Sequence, residues 1–508
     1  MNDNRIVVVG VGQCVQREFT AENLASVIDL AVNASSAAIA DANVGVAAEN
    51  WLDSLAWIRT FADSVPQFKT EFGSAINPPR ALAKKLGLKP RVAIHSQVGG
   101  NSPQGIINEL SHRLADGEIK ASLVVGGEAI GNEIFAIKNG LKPDWSDSTD
   151  GNCESKGLGL EGIFHQTELA HGLMGSAPFS YSLVESALAN HLSQTPSQHG
   201  QHMANLMAPL VDVARTNPFA MFSDLPSSAD LAKRDSLLTS SYHKWLCARE
   251  KVNQSAAVIL TTEKYAKELG ITAEQCVYLH RAIDVADLPL IQRETFHHSA
   301  ALQLASDLLF DGWDSAKRIA HLDIYSCFPC ALELAANALK AYVQSGAPLS
   351  LTGGLPYFGG PGNNYSLHGI AELVSALRKD RWSYGLISAN GGVLSKQSMA
   401  IYSSEPPEEG WLESAYRGSH KIAPAGIEIV ENFEGSVVIE TYAYSYKKGK
   451  TLFAAVIGRD SNDAGRRCLA VIDDSDPDSL RYFDGRDIIG EFATVKSVDG
   501  KNKLTPMQ

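Results

Sequence analysis

The sequence predicts an α/β protein of two similar halves, each a sheet layered by helices, with a small β-barrel appended at the C-terminus. Three observations predict it. Strand-like and helix-like segments alternate from Arg5 onward, the pattern of a sheet covered by helices. A second series with the same layout begins at Cys276. After Glu405-Pro406-Pro407 the helical segments give way to short strands and polar turns, as in a small barrel of the OB type.

In the first series, Arg5–Val9 reads as a strand and Ala21–Asp41 as a helix. Pro78–Gly87 is a helix with proline near its start, and Arg91–His95 is a short strand. Ile106, Ile107, Leu110 and Leu114 recur at helical spacing within Asn101–Asp116. Lys120–Gly126 is a buried strand, and the run AAVILTT closes the half. Between them, about 129–245, lies an insertion of polar loops and helical runs, the usual place for substrate contacts.

The second series contains the strand VYLHRAI, a helix around His297–Leu308, the strand Ile319–Tyr325 and a helix Ala331–Tyr342. A glycine-rich loop Thr352–Asn364, a helix His368–Lys379 and the strand Tyr384–Ala389 follow. Both series bring a late strand into a glycine pair, VVGGE and SANGG, which reads as a duplication. In the last segment Ser436–Tyr446 and Leu452–Ile457 are strands around a turn at 447–450. Short strands continue at Cys468–Ile472, Phe492–Val498 and Lys503–Leu504, with a helical turn near Asp476–Phe483. The expected domains are 1–265, 266–405 and 418–508.

A chain of 508 residues exceeds one core. Its net charge of −13 argues against nucleic acid and anionic membranes, which need clustered Lys and Arg. No signal peptide or membrane-spanning run is visible, and seven cysteines, an odd number, fit reduced thiols in a cytoplasm. GVGQC around Gly10 and Gly12 lacks the third glycine of a dinucleotide fingerprint.

Four segments carry candidate chemistry. VGGNSPQG, Val98–Gly105, sits at a strand-to-helix junction, where free N–H groups stabilise an anion; a plain turn capped by Asn101 or Ser102 is the alternative. YSCFPC, Tyr325–Cys330, is a second such junction, and its CxxC has no companion pair for zinc. His199 and His202 have metal-pair spacing without a third ligand, so no metal is expected. The loop GGLPYFGGPGNNYSLHG, Gly353–Gly369, can cradle a ligand backbone-first. In SANGGV, Asn390 can donate to an oxyanion.

In this order the four segments resemble the thiolase superfamily over residues 5 to 403. The nearest branch is that of the sterol-carrier-protein thiolases and the thiolase-like proteins of type 1, which carry an additional C-terminal domain. The resemblance implies the duplicated five-layered α-β-α-β-α fold, an acyltransferase of the acetyl-CoA acetyltransferase kind in lipid metabolism, and a homodimer formed through a sheet edge. It also implies CoA or acyl-CoA as substrate or ligand, with no permanently bound cofactor. A family member needs a nucleophilic cysteine, a Gly-His-Pro histidine, a His-Asp-Cys-Phe histidine and a second acid/base. Here Gly100, Gly360, Tyr325 and Ala389 stand at those positions, while Cys327 and Phe328 are kept. Ser102 lacks the base a serine nucleophile needs.

The resemblance therefore implies acyl-CoA chemistry without an acyl-enzyme. In an aldolase-like reaction, Tyr325 with Tyr357 or Tyr365 handles the hydroxyl proton of a β-hydroxyacyl-CoA, and His368 is a further candidate base. Asn390 and backbone near Gly99, Gly100, Asn101, Ser102, Gly359, Gly360, Asn363, Asn364 and Gly391 hold the thioester and its enolate. The alternatives are an inactive protein that binds CoA esters, and a thiolase using Cys327 or Cys330.

Overall fold

The computed structural model describes residues 4–64, 68–408, 411, 415–447, 450–473, 475–483 and 485–506. The expected turn residues 448 and 449 lie outside them. The chain opens with β1 (Ile6–Val15) and α1 (Val27–Ala42), then β2 (Ser54–Trp57), α2 (Pro78–Lys85) and β3 (Val92–His95). Next come α3 (Ser102–Ala115) and β4 (Ala121–Ala129). The insertion holds α4 (Ile130–Asn139), β5 (Glu154–Ser155), α5 (Gln166–Ala170), α6 (Ala177–His191), α7 (Pro196–Thr216) and α8 (Ser228–Leu231). β6 (Asn253–Thr262) ends the half, and α9 (Glu263–Glu268) leads on. The second half comprises β7 (Val277–Ala286), α10 (Ala300–Leu309), β8 (Ile319–Ile324), α11 (Pro329–Leu339), α12 (Tyr365–Lys379), β9 (Tyr384–Gly391) and β10 (Lys396–Ser403).

Strand pairing makes the duplication explicit. In the first half β1 runs antiparallel to β6, β6 antiparallel to β4, and β4 parallel to β2. In the second half β7, β10, β9 and β8 repeat those relations in the same order. β1 and β7 join the halves through Val7 opposite Tyr278 and Val8 opposite Val277. β3 lies beside β2, whereas the equivalent place beside β8 holds only a bridge between Ile319 and Val343.

The alternation along β1 sets the layers. Ile6 and Val8 face α3 and α12, which lie between the sheets, while Val7 and Val9 face α1 outside. A Ser26 capping box starts α1. Gly10 and Gly12 let that helix lie flush on the strand: an added Cβ would come within 2.3 Å of the Ala38 carbonyl and 2.2 Å of the Ala34 carbonyl. The near-fingerprint is thus a packing feature. On the far side α10 and α11 complete the fifth layer.

Beyond β10, β11 (Tyr416–Lys421) pairs parallel with β7, and β12 (Glu428–Ile429) with the barrel strand β15 (Arg466–Asp473). The barrel continues with β13 (Gly435–Lys447), β14 (Lys450–Asp460), α13 (Pro477–Leu480), β16 (Phe492–Val498) and β17 (Lys501–Pro506). The order β15-β14-β13-β16-β17 closes through Val471 opposite Lys503. Val437, Val456, Ile472 and Val495 fill its lumen. Its outer face contributes Ala443, Ala455, Ile457, Leu469 and Val471 to the core of the second half. α6 lies against β13, and the Thr441 hydroxyl donates to the Leu183 carbonyl. Among the described residues no helix is long and apolar enough to cross a membrane.

Candidate functional site

The first junction forms where β3 ends and the chain turns into α3. Pro103 occupies the first turn of that helix, where a missing N–H costs nothing. Neither expected cap operates: Asn101 makes no capping bond, and the Ser102 hydroxyl donates to the Gln97 carbonyl at 2.8 Å. Gly100 leads into the helix start, and what lies over it is the Tyr325 ring. A Cβ on Gly100 would sit 2.3 Å from the Tyr325 hydroxyl and 2.4 Å from Cε2 and Cζ. Tyr325 comes from the end of β8, where its N–H donates to the Ser388 carbonyl at 2.9 Å. Its ring meets Tyr365 edge-on at 5.3 Å between centroids. Burial, with the Cys327 thiol adding to it, raises the Tyr325 phenol far above its ordinary value.

The second junction runs from β8 into α11 through Cys327 and Cys330, both free thiols. Asn390 Nδ2 reaches Cys327 Sγ at 3.9 Å and donates to the Tyr181 hydroxyl at 2.8 Å. Tyr181 donates to the Gly392 carbonyl at 2.8 Å and stacks on Phe328. Burial pushes the Cys327 thiol up to about 12. At the helix start, the Cys330 N–H donates to Glu185 Oε2 at 2.9 Å, and the Tyr242 hydroxyl donates to the same oxygen at 2.7 Å. His199 Nε2 meets Glu185 Oε1 at 2.6 Å, while His202 pairs with Glu333 at 2.9 Å. Glu185 is fully buried, so its carboxylate occupies the positive end of α11. Burial and then Glu185 hold the Cys330 thiol well above its ordinary value. The two histidines thus have separate carboxylate partners, and among the described residues no cluster suits a metal ion.

The glycine-rich loop is buried and stitched to the first half. Asn363 Oδ1 accepts from the Gly99 N–H at 2.9 Å, and its amide donates to the Arg59 carbonyl at 2.7 Å. Asn364 Nδ2 donates to the Gly126 carbonyl at 2.7 Å. Gly359, with φ +129, presses on Gln254, and the Gly360 N–H donates to the Arg249 carbonyl at 2.9 Å. The Tyr365 hydroxyl bonds Thr352 Oγ1 at 2.6 Å. A Cβ on Gly391 would meet Asn101 Oδ1 at 2.3 Å, so the strand-end motif closes on the α3 junction.

The expected residues therefore converge in part. Gly100, Tyr325 and Tyr365 share one contact region; Gly99 joins Asn363; Asn101 joins Gly391; Cys327 joins Asn390. His368 turns away, with Nδ1 on Gln13 Oε1 at 2.7 Å and its ring against Phe358. Burial lowers that imidazole to about 3, which keeps it neutral. The Tyr357 hydroxyl is buried without a partner among the described residues.

Sequence reading missed Tyr181, Glu185, Glu128 and Lys396. Glu128 is the penultimate residue of β4, accepts the Phe61 N–H at 2.7 Å and lies against Gly362; burial raises its carboxyl to about 8. Lys396 opens β10 and lines a cleft of about 430 Å³ that Asn101 and Ser102 also border. The only available signals were Glu128 within VVGGE and the place of Tyr181 and Glu185 in the insertion.

No family model and no curated protein matches the chain. Solved structures do. A monomeric SCP2-thiolase like protein type 1 from Mycobacterium smegmatis is 28% identical with a TM-score of 0.79, covering 100% of both chains. The Ltp2-ChsH2(DUF35) aldolase is 15% identical with a TM-score of 0.56, over 79% of this chain and 98% of that one. Human mitochondrial 3-ketoacyl-CoA thiolase in complex with CoA is 14% identical with a TM-score of 0.56, over 80% of this chain and 99% of that one.

Proposed function

Because the chain belongs to the thiolase superfamily, on its SCP2-thiolase-like branch, we propose that it acts on CoA thioesters without forming an acyl-enzyme. One observation carries this reading: the Tyr325 ring fills the space into which a side chain at residue 100 would project. A glycine has no nucleophile, and here it has no room for one. The thiols at the other junction do not substitute, because Cys327 and Cys330 are held protonated at neutral pH.

With no covalent step available, the chemistry left to the site is proton transfer and enolate stabilisation. Tyr325 stands over the start of α3, where helix N–H groups favour developing negative charge. There its phenol, which burial keeps protonated, donates a hydrogen bond to the enolate oxygen that forms as the carbon–carbon bond of a β-hydroxyacyl-CoA breaks, the hydroxyl proton passing to water, while Tyr365 packs against its ring edge-on. A second reading, an inactive CoA-ester binder, is favoured by Asn390, whose amide donor already serves Tyr181. Pairing as a homodimer through the β3 edge meets an obstacle, since β5 already lies along Ile94 and His95.

Three measurements on the full chain test the proposal. Incubation with acyl-CoA is expected to leave the intact mass unchanged, and titration calorimetry to show binding. β-Hydroxyacyl-CoA is expected to release an aldehyde or ketone. Binding without release selects the inactive binder, and a stable acyl adduct on Cys327 or Cys330 overturns both readings.

A further inference from the structure

We propose that Lys396 is a carbonyl-capturing amine, and that the two adjoining clefts it lines receive an aldehyde or ketone with an apolar tail, held as an imine. Nothing in the thioester reading requires this site, and the proposal does not rest on that reading.

The geometry is that of a prepared amine. Lys396 Nζ donates to the Val98 carbonyl and, at 3.1 Å, to the Gly159 carbonyl. No ion pair engages it among the described residues. A neutral amine has two N–H bonds and one lone pair. The two carbonyls take both N–H bonds and leave the lone pair for an electrophile. Burial lowers the amine to about 8, against a weak opposing pull from Glu161. Relative to an ordinary lysine, on the order of a hundredfold more of it is neutral at pH 7.

The surroundings fit a carbonyl compound. The cleft of about 430 Å³ beside α3 and a second of about 610 Å³ share Lys396 and Ala286. Ile163, Phe164, Leu288 and Ile422 give the second an apolar lining for a tail.

The chemistry balances without a further reagent. The amine lone pair forms the C–N bond as the carbonyl π pair moves to oxygen, and a proton passes from nitrogen to that oxygen. The product of this step is a carbinolamine. Loss of the hydroxyl with one proton releases water and leaves the imine.

The competing role for Lys396 is a strap that ties the Val98 turn to Gly159. Octanal with sodium cyanoborohydride, applied to the full chain and followed by peptide mapping, separates the two. Lys396 is expected to be alkylated at least about tenfold faster than the exposed Lys89 and Lys142. Gly105→Leu, which places a side chain on the wall of the first cleft, is expected to slow Lys396 alone. Alkylation of Lys396 no faster than of Lys89 and Lys142, or a rate that Gly105→Leu leaves unchanged, overturns the proposal.

Discussion

The two strand-to-helix junctions of this protein have complementary deficits. The α3 junction has no acidic residue in the first turn of its helix, but it has Gly100 where a nucleophile would stand, with Tyr325 over it. The α11 junction has two thiols, but Glu185 accepts the Cys330 N–H and fills the positive helix end. A reactive cysteine needs both a thiol and an unopposed positive field. Neither junction combines them, so the presence of a CxxC at a helix start says little until the charge facing it is known. Each junction also has a buried glutamate nearby, and these differ too. Glu185 receives His199, Tyr242 and the Cys330 N–H, whereas Glu128 receives the Phe61 N–H beside the Gly362 loop.

The largest expected effect comes from Glu185→Gln. It puts an amide N–H2 where a buried carboxyl oxygen accepts from His199, the Tyr242 hydroxyl and the Cys330 N–H, so at least one buried donor loses its acceptor, at a cost of about 3 kcal/mol. Urea unfolding measures that loss. In the same variant Cys330 is expected to react faster with iodoacetamide, because the carboxylate that raises its pKa is gone. Equal alkylation rates in both proteins would mean that burial alone silences the thiol.

Gly100→Ala attacks the other junction. Its methyl carbon lands among the Tyr325 ring atoms, so about 2 to 3 kcal/mol is expected to be lost by overpacking. In a Tyr325→Ala background the same substitution is expected to cost little, and the difference between the two measurements is the coupling energy. If Gly100→Ala is neutral in both backgrounds, Tyr325 does not fill that space.

Much of the fold was legible in the sequence, and the reason is periodicity. α3 and β6 carry long apolar patterns, and both appear where expected. β2 did not register because its four residues are buried on both faces, which leaves no alternation to see. β10 and β11 did not register either, although β10 completes the duplicated pairing. The site divides along the same line. Gly100 and Tyr325 stood out as departures from a motif, but their contact did not, since size complementarity between distant segments leaves no local pattern. Glu185 and Lys396 belong to no motif, and their importance comes from what folding places around them. His368 stood out by type, yet its ring turns to Gln13.

The smallest expected effect sharpens the contrast between the two glutamates through pH. Burial raises Glu128 to about 8, so the folded protein binds its proton more tightly than the unfolded chain does. Such a group contributes its full stability below the unfolded value of about 4.3 and loses it as pH rises through about 8. Glu128→Gln keeps an oxygen for the Phe61 N–H and cannot ionise. It is therefore expected to match the wild type near pH 5 and to exceed it by about 1 to 2 kcal/mol at pH 8.5, after relaxation around the ionised carboxylate is allowed for. Urea unfolding across that range reads the difference directly. A constant offset between the two proteins at every pH would mean that Glu128 is ionised in the fold, as a glutamate with a compensating partner would be.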